Sequence, residues 1–288
     1  MNKPQIMRRA GVEALPSAMT VAAICLGLTA IKFALDHRPT QAMALLVLAA
    51  ILDALDGRVA RILNATSRMG QEIDSLADAV NFGVAPAFIV YATLLEHSPR
   101  GGWLVVLLYA VCIVLRLARY NALVDVDQPA YEKDYFVGMP APAGAVGAIG
   151  PIAAKMQFGD GWWTTDWAVS IWMIGVSLLV VSRIPMRKVH TFSVPPNMVA
   201  PALVVLALGV AAAFVFPYVT IMVIIVAYVC HIPFAIRGKR WLAAHPEAWD
   251  DKPRQRRAQR RAIRRAQPHR QSSARRSVAR LGLRRPQR

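Results

Sequence analysis

Residues 41–63 read QAMALLVLAAILDALDGRVARIL, and residues 71–95 read QEIDSLADAVNFGVAPAFIVYATLL. Each is apolar over roughly the 20 residues a helix needs to cross a hydrocarbon core. Between them they nevertheless hold five acids: Asp53, Asp56, Glu72, Asp74 and Asp78. A carboxylate at membrane depth is costly and marks a functional site by default. Six purer apolar runs surround this pair, at 16–35, 102–124, 139–157, 166–182, 199–216 and 218–236. The pattern predicts an all-α fold, a polytopic integral membrane helical bundle of about eight transmembrane helices. The run 139–157 is rich in Gly, Ala and Pro, which predicts close packing or a break near its start.

Composition agrees. With 56% hydrophobic and 18% charged residues over 288 positions, the chain is neither disordered nor an ordinary soluble domain. A net charge of +17 would point to nucleic acid in a soluble protein. Of that charge, +15 lies in residues 252–288, as Lys252 and fourteen arginines without an acid, leaving +2 for the other 251 residues. No nucleic-acid partner is expected. Three regions follow: an N-terminal cytoplasmic segment 1–14, a transmembrane catalytic domain 15–236, and a basic cytoplasmic tail 237–288. The tail is expected to be largely disordered and drawn to anionic lipid. Residues 2–14 are expected to form a short interfacial helix, and no signal peptide is read there.

Basic residues set the orientation. Lys3, Arg8, Arg9, Arg58, Arg61, Arg68, Arg116, Arg119, Lys133, Arg183, Arg187 and Lys188 fall on one side with the tail, against Arg38, Arg100 and Lys155 on the other. Both termini and the acidic site are therefore expected to be cytoplasmic, in the cell membrane, with Trp162, Trp163 and Trp167 in the outer interface. Cys25, Cys112 and Cys230 have no metal-ligand spacing and read as small buried hydrophobes.

On a helix, Asp53, Asp56, Gly57, Ala60 and Arg61 share one face, and Gly70, Asp74 and Asp78 share another. The interval between Arg61 and Gly70 suffices to end one helix and turn into the next. An antiparallel pair then gathers four carboxylates at one end of the bundle. Such a cluster needs a counterion, and all-oxygen ligands select hard divalent ions such as Mg²⁺ or Mn²⁺. Arg61, with Arg58 and Arg68 nearby, offers cations suited to phosphate.

The pattern Asp53-x2-Asp56-Gly57-x2-Ala60-Arg61-x8-Gly70-x3-Asp74-x3-Asp78 resembles, without departure, the signature of the CDP-alcohol phosphotransferases. The resemblance implies a homodimer with a six-helix core in each protomer. It implies two divalent ions, Mg²⁺ or Mn²⁺, held by Asp53, Asp56, Asp74 and Asp78, with Asp78 also the catalytic base for the acceptor hydroxyl. Asp56, Gly57, Ala60 and Arg61 would bind the CDP-linked donor, Gly57 and Ala60 admitting the nucleotide and Arg61 contacting its diphosphate.

Three further stretches, residues 74–86 (DSLADAVNFGVAP), 116–121 (RLARYN) and 136–142 (FVGMPAP), are similar to the branch of the family that uses CDP-diacylglycerol and L-serine. That implies transfer of a phosphatidyl group to serine with CMP leaving. Asn81, Arg116, Arg119 and Asn121 are the candidate acceptor-binding residues, each also readable as an anchor or interhelical bond. Other acceptors of the family, inositol phosphate, glycerol phosphate or choline, stay open. An intramembrane prenyltransferase would expect a second acidic motif, which Asp125, Asp127 and Asp134 are too irregular to supply. A non-enzymatic membrane adaptor would leave the four aspartates unexplained.

Overall fold

A computed structural model describes residues 3–63, 67–124, 135–187 and 198–244. Residues 245–288 of the basic tail, Lys133, Lys188 and the acids Asp125, Asp127 and Asp134 lie outside the described residues. The chain divides into a unit Met1–Arg237 and a second unit Gly238–Arg288, of which the described residues 238–244 are helical.

The described residues are helical throughout, apart from short connections and one small ribbon. In chain order the helices are α1 (Lys3–Leu35), α2 (Pro39–Ile62), α3 (Arg68–Leu95), α4 (Pro99–Val124), α5 (Ala141–Ala148), α6 (Gly150–Phe158), α7 (Asp166–Val181), α8 (Val199–Val215) and α9 (Pro217–Ala244). Each of the eight apolar runs falls on one of these, α5 and α6 sharing a single run. Among the described residues, four stretches are long and apolar enough to cross a membrane: Leu15–Leu35, Arg68–Leu95, Arg100–Ala122 and Pro217–Gly238. The helices Asp166–Val181 and Val199–Val215 are apolar but shorter. Apolar side chains cover the outside, among them Leu178, Val205 and Phe214, each more than 60% exposed. Only a bilayer tolerates so much exposed hydrocarbon. This is an integral membrane protein.

Three local features depart from the sequence expectations. Residues 3–14 form no separate helix; α1 runs unbroken from Lys3 through its apolar run, carrying Pro16 inside it. Cys25 and Cys230 lie on the exposed surface, and only Cys112 is buried; all three are free thiols. The run 139–157 breaks at Ile149, near its middle rather than near its start. Pro151 explains the break, because it has no N–H to give the carbonyl four residues back, that of Gly147. The Trp172 indole N–H of α7 donates to that carbonyl instead, at 2.8 Å. The two halves therefore stay packed although the backbone ladder is interrupted.

Small residues let α1 and α2 lie close together. Ala23, Ala30 and Ala34 of α1 and Ala42 and Ala49 of α2 are all buried at 0–1% exposure. The hairpin between them turns at His37, whose φ of 56° lies in the left-handed region. α1 also packs on α3.

α3 is α-helical to Asp78 and then widens to π-helix over Ala79–Val84, and again over Tyr91–Leu95. Such widenings in an α-helix gather at functional sites. At the first one the Tyr109 hydroxyl of α4 donates to the Phe82 carbonyl at 2.8 Å. Gly83 lies against Ile113 so closely that an added Cβ would come within 3.2 Å. An antiparallel ribbon, β1 (Tyr135–Val137) on β2 (Pro185–Arg187), joins the segments before α5 and after α7.

Candidate active site

The acidic faces of α2 and α3 meet as the helical spacing predicts. One oxygen each from Asp53, Asp56 and Asp74 lies within 4.8 Å of the other two. Asp78, one turn further along α3, stands beside Asp53, and the Arg116 guanidinium is within charge-interaction range of it. Ser67 starts α3 by accepting the Gly70 N–H at 3.0 Å, an N-cap that ends the α2–α3 turn where the site begins.

Next to the carboxylates is a cleft of about 290 Å³, lined by Asp56, Gly57, Ala60 and Arg61 of α2 and by Gly70, Gln71 and Asp74 of α3. Gly57 shapes it by what it lacks: a Cβ built there would meet nothing within 4 Å. The bare surface predicted at Gly57 and Ala60 is therefore open room for a ligand. Arg61 lines the cleft and is exposed, its Nε donating to the Gly57 carbonyl at 2.9 Å.

The donor set fits divalent metal. Asp56 is only 3% exposed, and the Oδ1 atoms of Asp53 and Asp56 are buried without a hydrogen-bond partner. Among the described residues the ion pairs are Lys32 with Asp36 and Lys155 with Asp160, so no Lys or Arg neutralises the cluster by direct pairing. Two buried, unpartnered carboxylate oxygens of α2, with the exposed Asp74 carboxylate of α3 close by, make an all-oxygen donor set suited to a hard cation. Asp53, Asp56 and Asp74 would hold the metal, with Asp78 at its edge.

The four candidate acceptor residues separate. Arg116 reaches the site: it is 8% exposed, faces Asp78, and its Nε has no partner. Asn81 is fully buried on the π-helical stretch after Asp78, its amide nitrogen and oxygen both unpartnered. It lies against Gly27 of α1, where an added Cβ would come within 2.2 Å of Asn81 Oδ1. Arg119 is engaged by main chain, donating to the carbonyls of Val181 at 2.9 Å and Ser182 at 3.3 Å. It thereby closes the C-terminal end of α7, where a cation is favoured. Asn121 donates to the Ser75 hydroxyl at 3.0 Å, a bond between α4 and α3. Arg58 and Arg68 are exposed and do not line the cleft.

Sequence reasoning missed the contribution of α1. Pro16, Ser17 and Thr20 line the cleft, and the Thr20 hydroxyl donates to Asp56 Oδ2 at 2.6 Å. That bond would orient a candidate metal-binding carboxylate from outside the metal shell. Nothing in the pattern around Thr20 signals it, because the contact spans 36 positions.

Compared with known families, residues 13–181 match the CDP-alcohol phosphatidyltransferases. The chain belongs to this family. Its similarity to individual CDP-alcohol phosphatidyltransferases extends further. It is 64% identical over 287 residues to the CDP-diacylglycerol–serine O-phosphatidyltransferase of Mycobacterium tuberculosis (strain ATCC 25618 / H37Rv), covering 99% of this chain and 98% of the relative. It is 59% identical over 294 residues to the enzyme of the same name from Mycobacterium leprae (strain TN), with the same coverage. The Bacillus subtilis (strain 168) enzyme of that name is 39% identical over 128 residues, 44% of this chain and 69% of the relative.

Proposed function

We propose that this CDP-alcohol phosphatidyltransferase moves the phosphatidyl group of CDP-diacylglycerol to the hydroxyl of L-serine, giving phosphatidylserine and CMP. The observation that carries the reading is the convergence of Asp53, Asp56 and Asp74 beside an open, glycine-floored cleft, with Asp78 next to Asp53 and the buried Arg116 keeping an unpartnered Nε. The near full-length similarity to serine-using relatives supports the choice of acceptor.

Each residue then has a task. Gly57 and Ala60 leave room for the cytidine nucleotide, and the free nitrogens of Arg61 meet its diphosphate. Asp53, Asp56, Asp74 and Asp78 hold two divalent ions, Mg²⁺ or Mn²⁺. When bound, these ions supply positive charge to the diphosphate oxygens as the phosphorus changes partners. Asp78 takes the proton of the serine hydroxyl, whose oxygen forms the new bond to the diacylglycerol-bearing phosphorus. The bond from that phosphorus to the bridging oxygen breaks, and CMP leaves with the electron pair. Thr20 keeps Asp56 turned to its work by holding one of its oxygens. Arg116 pairs with the serine carboxylate and Asn81 offers its unpartnered amide, while Arg119 and Asn121 support the helices that present them. The enzyme works as a homodimer in the cell membrane, with the site and both termini cytoplasmic.

The deciding measurement offers the purified protein CDP-diacylglycerol with labelled serine, inositol phosphate or glycerol phosphate in separate reactions. Labelled phosphatidylserine with an equal amount of CMP is expected from the serine reaction alone. Label entering only another acceptor would reject serine and leave the metal chemistry standing.

A further inference from the structure

Away from the carboxylates, a second and larger cavity of about 560 Å³ separates α9 from the paired faces of α5 and α7. Its walls include Met139, Gly175, Leu179, Ile224, Tyr228 and Val229. Apart from the Trp172 indole N–H, already bonded to Gly147, the polar side-chain group in this lining is the Tyr228 hydroxyl. That hydroxyl is buried and has no hydrogen-bond partner.

Tyr228 marks the end of the cavity nearest the active site. It lies within electrostatic range of Arg116, which in turn faces Asp78. Met139 and Leu179 of the lining are joined by a hydrogen bond, the Met139 N–H donating to the Leu179 carbonyl, and a Cβ added at the adjoining Gly138 would come within 3.3 Å of the Arg119 guanidinium. At the far end, Trp172 and Ile225 stand between this cavity and an apolar one of about 300 Å³ that continues to Trp162 and Trp163. The passage narrows at Gly150, where an added Cβ would come within 2.8 Å of Ile225 Cδ1. Two apolar cavities that share Trp172 and Ile225 as walls therefore follow one another along α7 and α9.

Protein interiors do not keep apolar voids of this size empty. In a bilayer the filler at hand is hydrocarbon. We infer that the groove between α5, α7 and α9 is the binding site for one acyl chain of the CDP-diacylglycerol donor, whose glyceryl ester carbonyl accepts the Tyr228 hydroxyl. This rests on the proposed function and adds a lipid subsite to it. A bulk lipid tail would need only the apolar walls. It would not need a buried hydroxyl, in want of an acceptor, between those walls and the site where the phosphorus reacts. An amphiphile with its polar head at Asp78 and its chain along α7 meets both conditions.

Gly175 provides the test, because it lines the groove and a Cβ there meets nothing within 4 Å. In the full-length protein, Gly175→Phe should raise the KM for a long-chain CDP-diacylglycerol about tenfold relative to a short-chain one, a selective loss of about one decade of affinity. An unchanged ratio of the two constants would overturn the inference. A second measurement uses the wild-type protein and so does not depend on the variant folding. CDP-diacylglycerol carrying a diazirine at the end of one acyl chain should label α7 and α9 in the stretches 171–179 and 224–229. Labelling confined to α8, equal labelling by a diazirine phosphatidylglycerol, or a cross-linked second copy of the chain in the groove would each reject the donor as occupant. Wild-type phosphatidylserine formation is scored in the same preparation, so loss of the serine assignment is seen separately from loss of the groove.

Discussion

The α2–α3 corner and the α5–α7–α9 face are built on opposite terms. At the corner each functional position is a charged or bare residue whose placement costs energy unless something answers it. Asp56 is nearly sealed from solvent, with Thr20 on one oxygen and nothing on the other. At the face almost every lining group is aliphatic or aromatic, and what matters is the shape left between helices. The contrast teaches where information resides in a membrane enzyme. A carboxylate in hydrocarbon has few tolerable environments, so its identity and spacing are diagnostic. A valine facing lipid and a valine lining a substrate groove face the same kind of matter, so sequence does not separate them.

Removing a charge at the corner should have the largest effect. Asp78→Asn keeps the side chain's shape but removes the proton acceptor, and CMP release should fall by about 10²–10⁴-fold, the usual worth of a general base. A variant with near wild-type turnover would take Asp78 out of the chemistry. EDTA should silence the wild-type protein in the same assay, and Mg²⁺ or Mn²⁺ should restore it.

One step out from the carboxylates the effect should be smaller and should fall on metal binding. Thr20→Val removes the donor to Asp56 and should weaken the apparent metal affinity about 10–100-fold, the usual cost of losing such a supporting bond. Turnover at saturating metal should recover. If activity titrates with metal as in the wild type, Thr20 is only a packing residue and the corner is narrower than drawn here.

The smallest effect belongs to the other region. Trp172→Phe deletes the indole N–H that serves the Gly147 carbonyl across the α5–α6 break. A net loss of about 1 kcal/mol is expected, the typical worth of one hydrogen bond, seen as a lower unfolding temperature in detergent with the metal response intact. A shift in metal affinity instead would show that the two regions are coupled through α7.

Much of the architecture was legible. The apolar runs coincide with helices, and the helical spacing of Asp53, Asp56, Asp74 and Asp78 anticipated a shared corner. Local rules went no further. They did not locate the α5–α6 break: Pro151 pointed to a weakness, but the partner that makes it tolerable, Trp172, lies 25 positions from Gly147. They also did not divide the acceptor candidates. Arg116 and Arg119 are one helical turn apart with the same chemistry. Only the packing of α7 gives Arg119 two carbonyls and leaves the Arg116 Nε unpartnered beside Asp78.

By itself, then, the sequence determined that this is a helical membrane protein with a four-carboxylate centre on two adjoining helices. Those conclusions follow from solvation cost and helical period, which act locally. Tertiary structure decided that α1 supplies Thr20 to the centre, that Asn81 lies buried against Gly27, and that α9 stands off α7 to leave a lipid-sized groove. Each of these depends on which surfaces meet across long stretches of chain. Among interchangeable apolar side chains, the match of shapes makes that choice, and no residue spacing records it.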